Sequence, residues 1–397
     1  MFEIIEKDSF EDVGTVIKVM GIGGGGGNAV DHMIREGVNG VEFIVANTDA
    51  QALKRNIAGS KIQLGKSGLG AGAKPEAGKI AAQEDRERIA DHLRGAHMVF
   101  LTAGMGGGTG TGAAPVIAEI ARELGILTVA VVTKPFPFEG KRMKIAEVGI
   151  AELQKHVDSL IVILNDKLME VLGEDVSMED AFKGANNVLR NAVGGIAEII
   201  NFPGLVNVDF EDVRTVMSEM GMAMMGSAYA SGLDRARIAA EQAVASPLLE
   251  GINLSGAKGV LVNITATRNL KMREVNEVMA TVRAFAAEDA HIIFGAVYDD
   301  AMGDDIRVTV VATGLGQAQM KRQSFTVIDT PIPVLQATGT EHAQPSAIGS
   351  DYSQYDTPTV IRGRGARGMA AGVTAEALSN SGVDRYDIPA FLRRQAD

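Results

Sequence analysis

The chain has 397 residues, 46% of them hydrophobic, and a formal net charge of −12. This length can hold two domains, each with a core of its own. The sequence contains no cysteine and no apolar run long enough to span a bilayer, so we expect a cytoplasmic protein without direct membrane insertion. An acidic surface repels the phosphate backbone, so we expect no nucleic-acid partner.

A strand followed by a glycine run lies near the start of the chain, after an N-terminal arm predicted over residues 1–15. Residues 16–20, which are apolar except for Lys18, predict the strand. Glycine dominates residues 21–27, and a helical pattern starts at Ala29. Glycine lets the backbone turn its N–H groups towards a phosphate. Three of these residues have the dinucleotide-binding spacing G-x-G-x-x-G, which alone is a weak signal: Gly21, Gly23 and Gly26.

The next predicted strand, over 43–46, ends at the sequence Asn-Thr-Asp over 47–49. An open α/β sheet places a loop that contacts ribose or phosphate at such a point. Residues 65–67 read Gly-Lys-Ser, but Ser60 stands where a Walker P-loop requires glycine. We therefore interpret residues 64–74 as a mobile glycine-rich loop, followed by a helix over 75–93.

A second glycine-rich segment, over residues 104–112, is the feature around which the chain is organised. Apolar residues 98–101 precede it, and a helical pattern starts near Ala113. Thr109 and Thr111 add hydroxyl groups that a flexible hinge, the alternative, would not need. Neither glycine segment contains lysine, so we expect backbone N–H groups, helix dipoles and a metal ion such as Mg²⁺ to balance the phosphate charge.

Apolar strands alternate with helices, which predicts an α/β fold with a parallel sheet covered on both faces. Further strands are predicted over 126–133 and 160–164. A helical pattern over 178–202 would be over ~30 Å long, enough to join two domains. The second domain contains predicted strands and helices over 259–266, 291–297, 306–312, 235–245 and 275–285.

Two acidic residues, Asp209 and Asp212, follow the long helix and precede a short helix predicted over 213–220. Hydrolysis of a terminal phosphate needs a side chain that positions water, and neither glycine segment supplies one. Taken alone, however, this acidic pair is more typical of helix capping and of favourable charge at a helix N-terminus. We expect it at the opposite pole of the domain from the glycine segments.

The end of the chain has a different composition. Residues 317–380 are rich in small and polar residues without a sustained apolar period, which predicts a disordered linker. Apolar residues return within 381–397. A short amphipathic peptide on a tether is typical of a partner-binding motif; a tail without function is the alternative.

The segment over 106–112 resembles the tubulin signature, and the chain resembles the FtsZ family of bacterial tubulin homologues over 17–316 and again over 384–394. The resemblance implies a tubulin-like GTPase domain with a Rossmann-like parallel sheet over 16–202. A long central helix would join it to a smaller α/β activation domain over 203–316, followed by a disordered tail. The implied function is that of a polymerising cytoskeletal GTPase that forms head-to-tail protofilaments and the cell-division ring.

The resemblance also implies the ligands and the site. The cofactors would be GTP or GDP with Mg²⁺, and no protein metal ligands are assigned. Glu139 and Arg142 match ribose-contacting positions, and Asn165 and Asn186 match guanine-facing ones. The implied phosphate-binding residues are Gly24, Gly25, Gly26, Gly27, Asn28, Gly107, Gly108, Thr109, Gly110 and Thr111. The implied catalytic residues, which would reach into the nucleotide site of the next subunit, are Asn207, Asp209 and Asp212.

This sequence departs from the family at one point: members often carry Asp at one of the two positions held here by Asn186 and Asn187. An amide has a single acceptor atom for the donors of guanine, whereas both oxygens of a carboxylate can accept.

The implied partners are further copies of the chain and the membrane-anchoring and regulatory division proteins. The tail peptide would bind the latter through Ile388, Phe391 and Leu392, at a division ring at mid-cell on the inner face of the membrane. Two other functions remain open here: a dinucleotide-binding Rossmann oxidoreductase, and a filament protein without catalysis.

Overall fold

The computed structural model describes residues 14–173, 175–202, 204, 206, 208–219, 221–246, 257–287 and 289–315. The predictions for the linker and the tail peptide, and most of that for the N-terminal arm, lie outside these residues. Among the described helices, none combines the length and the apolar character that crossing a bilayer requires.

Ten strands form one continuous sheet in the order β3-β2-β1-β4-β5-β6-β7-β10-β8-β9. Neighbours from β3 through to β7 are parallel, β10 is antiparallel to both of its neighbours, and β8 pairs parallel with β9. The strands are β1 Ile17–Ile22, β2 Glu42–Asn47, β3 Ser60–Gln63, β4 Met98–Gly104, β5 Leu127–Lys134, β6 Ser159–Leu164, β7 Gly221–Ala230, β8 Gly259–Ala266, β9 His291–Tyr298 and β10 Ile306–Leu315.

Helices cover both faces of this sheet. Eleven α-helices lie in the described part of the chain: α1 Gly23–Arg35, α2 Ala50–Arg55, α3 Pro75–Glu84, α4 Arg86–Leu93, α5 Thr109–Glu123, α6 Lys141–Leu153, α7 Asn165–Leu172, α8 Met178–Asn201, α9 Phe210–Met217, α10 Arg235–Val244 and α11 Met272–Phe285. Short 3-10 turns occur at Pro137–Glu139 and Asp300–Met302.

The sheet separates two cores in the N-terminal half. Alternate residues of β1 point to opposite faces, so Val19 packs with α1 and α8 while Met20 packs with α4 and α5. A third core lies under α10 and α11 against β8 and β10. These layers confirm the predicted α/β fold, in which helices cover both faces of the parallel strands.

The long helix α8 joins the two halves, as predicted. Its N-cap is Ser177, whose side chain accepts a hydrogen bond from the Asp180 N–H. Near its other end the Gly195 carbonyl accepts from Asn263 of β8, and Glu198 forms a 2.5 Å ion pair with Arg307 of β10. The helix therefore packs on the parallel strands and is bonded to the antiparallel ones.

Several elements differ from the prediction. Strands β3 and β7 and helices α2, α6 and α7 were not predicted, and the helix predicted over 75–93 breaks at Asp85, whose carboxylate accepts from the Gly65 N–H at 2.6 Å. Strand β7 pairs with β6, so one sheet runs through both predicted domains. Met224 and Met225 of β7 are buried, so these methionines pack in the core.

Candidate functional site

The two glycine segments meet at one edge of the sheet. Strands β1 and β4 are parallel neighbours, with Ile22 beside Ala103 at their carboxyl ends. Helix α1 starts directly after β1, and α5 starts five residues after β4. An added Cβ on Gly25 would lie 3.0 Å from the Cα of Gly104, so the two backbones touch. Two helix N-termini, each with unpaired N–H groups and a positive dipole end, therefore lie side by side.

Both helices start earlier than the sequence predicts. We predicted helix starts at Ala29 and near Ala113, but α1 begins at Gly23 and α5 at Thr109. Glycine has a low helix propensity, and tertiary packing overrides it here. A Cβ on Gly26 would lie 2.2 Å from the Thr102 carbonyl oxygen, so only glycine lets this turn of α1 pack against β4. Residues Gly24 to Asn28 are thus helical residues, not a loop.

The glycines divide into those that pack and those that leave open space. Most would bring an added Cβ against backbone, as Gly110 would against the Gly104 carbonyl oxygen at 2.7 Å. At Gly24 and Gly107 an added Cβ would meet no atom within 4 Å. We call the surface formed by residues 23–28 and 107–111 the glycine cradle. Its open points, at the start of α1 and before α5, fit a phosphate chain held by backbone N–H groups.

The two threonines of the cradle have different partners. The Thr109 hydroxyl contacts the Thr48 hydroxyl at 2.6 Å, so the loop after β2 adjoins the cradle as its position predicted. The Thr111 hydroxyl is buried and accepts a hydrogen bond from the Gly106 N–H at 2.9 Å. Accepting this hydrogen bond uses one lone pair of the Thr111 hydroxyl and leaves its O–H group free to donate, so phosphate binding by Thr111 stays a prediction.

The predicted glycine-rich loop over 64–74 packs on the cradle, which we did not predict. A Cβ on Gly108 would lie 2.2 Å from the Gly72 carbonyl oxygen, and one on Gly78 of α3 would lie 2.5 Å from the Gly108 carbonyl oxygen. Gly72 and Thr48 are thus neighbours of the cradle that the predicted site omits.

The two predicted ribose contacts bind each other. Arg142 donates from Nη1 to Oε2 of Glu139 at 2.6 Å, and the other carboxylate oxygen accepts from the Phe136 N–H at 3.0 Å. A Cβ on Gly106 would lie 2.7 Å from the Arg142 carbonyl oxygen. The pair therefore lies beside the second glycine segment, at the same edge of the sheet.

The two predicted guanine-facing residues come from separate helices. Asn165 begins α7 immediately after β6, at the same carboxyl edge; it is 4% exposed, and its Oδ1 has no hydrogen-bond partner within the described structure. A buried acceptor without a donor is costly, so this atom fits a ligand N–H group. Asn186 is half-buried on α8. One turn earlier, Phe182 contacts the Phe136 ring edge-on at 5.6 Å, next to Glu139.

The acidic pair lies at the opposite edge of the sheet. Phe210 of α9 contacts the ring of His97, which precedes β4, and Arg214 donates to the carbonyl of Gly125, which precedes β5. Helix α9 thus packs at the amino ends of these strands. Because β4 has seven residues, roughly 23 Å separates this edge from the cradle.

The structure also shows what the acidic residues do locally. Asp209 is the N-cap of α9 and accepts from the Asp212 N–H at 2.8 Å, which confirms the capping expected from the sequence. Both side chains are exposed, so capping leaves them accessible to another molecule. Asn207, the third predicted catalytic residue, lies outside the described residues.

A pair of alanine substitutions separates the two kinds of glycine. Gly24→Ala should leave the melting temperature nearly unchanged but weaken nucleotide binding about tenfold or more, because its methyl group enters the open cradle. Gly26→Ala should lower the stability by several kcal/mol, since its methyl group would collide with β4. Thermal unfolding and nucleotide titration of both variants check this. Equal melting temperatures would contradict the packing described here.

Known proteins with similar sequences identify the family of this chain. The family model described as the GTPase domain of the Tubulin/FtsZ family matches residues 16–173, and the model of the FtsZ C-terminal domain matches residues 221–316. A protein described as cell division protein FtsZ, from Pseudomonas aeruginosa, is 54% identical over 401 residues and covers 100% of both chains. The chain belongs to the FtsZ family. It is therefore a GTPase that binds guanine nucleotide, and the oxidoreductase alternative is not favoured.

Solved structures agree with this fold. An empty FtsZ dimer from M. jannaschii is 44% identical, with a TM-score of 0.73 over 76% of this chain and 88% of that one. CetZ2 from Haloferax volcanii, solved as a protofilament with GTPγS, has a TM-score of 0.64 over 76% of this chain and 94% of that chain. Its identity of 19% supports the tubulin-like fold alone.

Proposed function

We propose that this chain forms head-to-tail filaments in which GTP is hydrolysed between neighbouring subunits. The glycine cradle of one subunit would hold the phosphates, Glu139 and Arg142 the ribose, and Asn165 and Asn186 the guanine. Asp209 and Asp212 of the next subunit, with Asn207, would complete the site. The supporting observation is the position of α9: the acidic pair and the cradle lie at opposite ends of the parallel strands β4 and β5.

This separation favours a site shared between two copies. Within one chain the carboxylates are roughly the full length of a strand away from the phosphates, so they could not orient a water molecule at the terminal phosphoryl group. Stacking the acidic edge of one copy on the cradle edge of the next would bring them together. The Asp212 carboxylate would then accept a proton from the attacking water, and the cradle N–H groups would stabilise the charge on the phosphoryl oxygens.

The same stacking would produce a filament. The two surfaces in contact differ from one another, so each added subunit presents a new free surface at each end and the assembly need not close. The dimer solved for the similar M. jannaschii protein is consistent with such assembly. Because the site would be complete only at a contact, hydrolysis would follow assembly.

We also propose Mg²⁺ as the ion that accompanies the nucleotide. The cradle contains no lysine, and the described residues contain no cluster of three or more potential metal-ligating side chains. Mg²⁺ is commonly bound through substrate phosphates and water, which this site would allow, with the Thr109 hydroxyl nearby. Bound there, the ion would neutralise charge on the phosphate oxygens.

We further propose that the C-terminal tail binds partner proteins and that these locate the filament in the cell. The peptide over 381–397, with Ile388, Phe391 and Leu392 as anchors, would bind membrane-anchoring and regulatory division proteins through an apolar contact. The linker over 317–380 would let it reach them, and the filament would form the division ring at mid-cell. We also propose that the GTPase domain ends at residue 202 and that the activation domain ends at residue 316.

Light scattering with GTP, and then with GDP, tests assembly directly. We expect scattering to rise after GTP is added, to persist while GTP lasts and to fall as it is consumed, whereas GDP alone gives no rise. A filament protein without catalysis would keep its scattering and release no phosphate. Scattering that does not depend on nucleotide would contradict the proposal.

A further inference from the structure

A contact between α1 and α8 lies beside the residues assigned to the base. Nε2 of His32 is 2.6 Å from Oδ1 of Asn187, and the two residues are 155 positions apart in the chain. Helix α1 begins at the cradle, and His32 lies roughly 14 Å further along it than Gly23. That distance is comparable to the length of a nucleotide. Helix α8 carries Asn186, directly before Asn187.

An amide at this position has an orientation problem that a carboxylate does not have. Guanine presents two donor groups, N1–H and N2–H₂, on the edge that distinguishes it from adenine, so the protein must offer acceptors there. Asparagine has one acceptor atom and one donor group related by a rotation of the amide, whereas both oxygens of aspartate accept. Whichever of the two neighbouring asparagines takes the place of the aspartate needs a further contact that fixes its amide.

We propose that His32 is a positioning residue for guanine recognition. Its Nε2–H donates to Oδ1 of Asn187 and fixes that oxygen on the α1 side of α8. An amide oxygen has two lone pairs, so the second can accept a hydrogen bond from a donor on the base. This inference rests on the proposed function, because it takes the base to lie next to the segment Asn186–Asn187. It refines that function by assigning the second acceptor to Asn187, the neighbour of Asn186.

Asn165 supplies the complementary half of the recognition. Its buried Oδ1 has no partner within the described structure. Two acceptors, one buried and one fixed by His32, match the two donor groups of guanine. Adenine carries an acceptor at N1, so one of the two oxygens would face a lone pair and the other would lose its donor. Inosine lacks the N2 amino group and would leave one acceptor unpaired.

The simplest alternative is that the contact only ties α1 to α8. A structural tie would affect all nucleotides alike, through the stability or the shape of the site. A positioning role changes the ratio of affinities for nucleotides that differ only at the base. The ratio of GTP to ITP affinity isolates the N2 amino group, because the two share the ribose and the phosphates.

The test measures displacement of a fluorescent GTP analogue from the full chain by GTP and by ITP, below the concentration at which filaments form. We expect His32→Ala to reduce the GTP-to-ITP affinity ratio about fivefold, the value of one neutral hydrogen bond. His32→Gln, which keeps an N–H donor at similar reach, should retain the ratio within about twofold. His92→Ala is the matched control: that imidazole forms its hydrogen bond within its own helix, with the Arg88 carbonyl.

The same His32 substitution is also tested in a chain that carries Asn187→Asp, where no amide has to be oriented. In Asn187→Asp both oxygens are acceptors, so adding His32→Ala should leave the affinity ratio unchanged. The inference is overturned if His32→Ala weakens GTP and ITP by the same factor, or lowers the ratio equally in both backgrounds. If the unsubstituted chain itself binds GTP and ITP equally, the assignment of the base site fails as well. This result can be told apart from a failure of the His32 proposal, because it is seen in the unsubstituted chain.

Discussion

Asp212→Ala should bind GTP with nearly unchanged affinity and hydrolyse it about a hundredfold more slowly or worse. The Asp212 side chain is exposed at the acidic edge, far from the cradle of its own chain, so its removal leaves nucleotide binding intact. The hydrogen bond that it makes to Asp209 uses its backbone N–H, which alanine retains. Steady-state phosphate release, with nucleotide affinity measured separately, checks both expectations.

The neighbouring residue offers a matched control. Glu211 precedes Asp212 in the first turn of α9, is exposed, and pairs with Arg214 at 3.2 Å. Glu211→Ala removes the same charge from the same turn and should retain most of the hydrolysis. Asp209→Ala is less informative, because it also removes the N-cap of α9 at a cost of about 1 kcal/mol. If Asp212→Ala hydrolyses GTP at the full rate, Asp212 has no catalytic role, and its carboxylate only provides a favourable charge at the N-terminus of α9.

The specific activity of the unsubstituted chain should fall towards zero on dilution. If the site is complete only where two subunits meet, an isolated subunit holds GTP but lacks the carboxylates that act on it. Above the concentration at which filaments form, added protein should contribute fully to phosphate release. A series of protein concentrations at saturating GTP, followed by phosphate release and scattering together, measures this.

The two readouts should rise at the same protein concentration. The variant Glu211→Ala, which keeps both halves of the site, should show the same dependence. A specific activity that stays constant down to concentrations without scattering would place the whole catalytic site within one chain. It would contradict the separation of about one strand length between Asp212 and the cradle.

The glycine segments and the main strands could be predicted because their signals are local. An apolar run predicts a buried strand, and glycine after it predicts a close approach of backbone. The helix start at Gly23 could not be predicted in this way, because it depends on contact between Gly26 and the Thr102 carbonyl on another strand. The low helix propensity of glycine disfavours a helix there, but packing against β4 stabilises one.

Strand β7 was missed for a related reason. Its methionines and glycines have no strong strand preference, and its pairing with β6 and β10 comes from residues far apart in the chain. The hydrogen bond of the Thr111 hydroxyl was also not predicted, because a threonine in a glycine segment gives no sign of which way its oxygen faces. The contact with the Gly106 N–H within the same segment decides it.

For the acidic pair, the residues alone predict the local role in helix capping but not the proposed catalytic role. From the residues alone, Asp209 is a helix cap, and in the structure it caps α9. Its proposed second role depends on which edge of the sheet α9 occupies, and that follows from contacts with His97 and Gly125. Only the resemblance to the FtsZ family pointed to this role from the sequence, and it required a second copy of the chain.

Mixing two inactive variants tests the shared site most directly. Gly24→Asp places a carboxylate in the open cradle and should prevent GTP binding, whereas Asp212→Ala keeps the cradle and loses the acidic group. Each alone should be nearly inactive. In an equal mixture about a quarter of the contacts would join an intact cradle to an intact acidic edge, so we expect phosphate release to recover to a comparable fraction.

The double variant, with both substitutions in one chain, is the control for this mixture. Mixed with Asp212→Ala it offers no intact acidic edge, so it should restore nothing. Recovery in the first mixture alone is the result that we predict. Absence of recovery, in a mixture that light scattering shows to assemble, would contradict a catalytic site divided between two subunits.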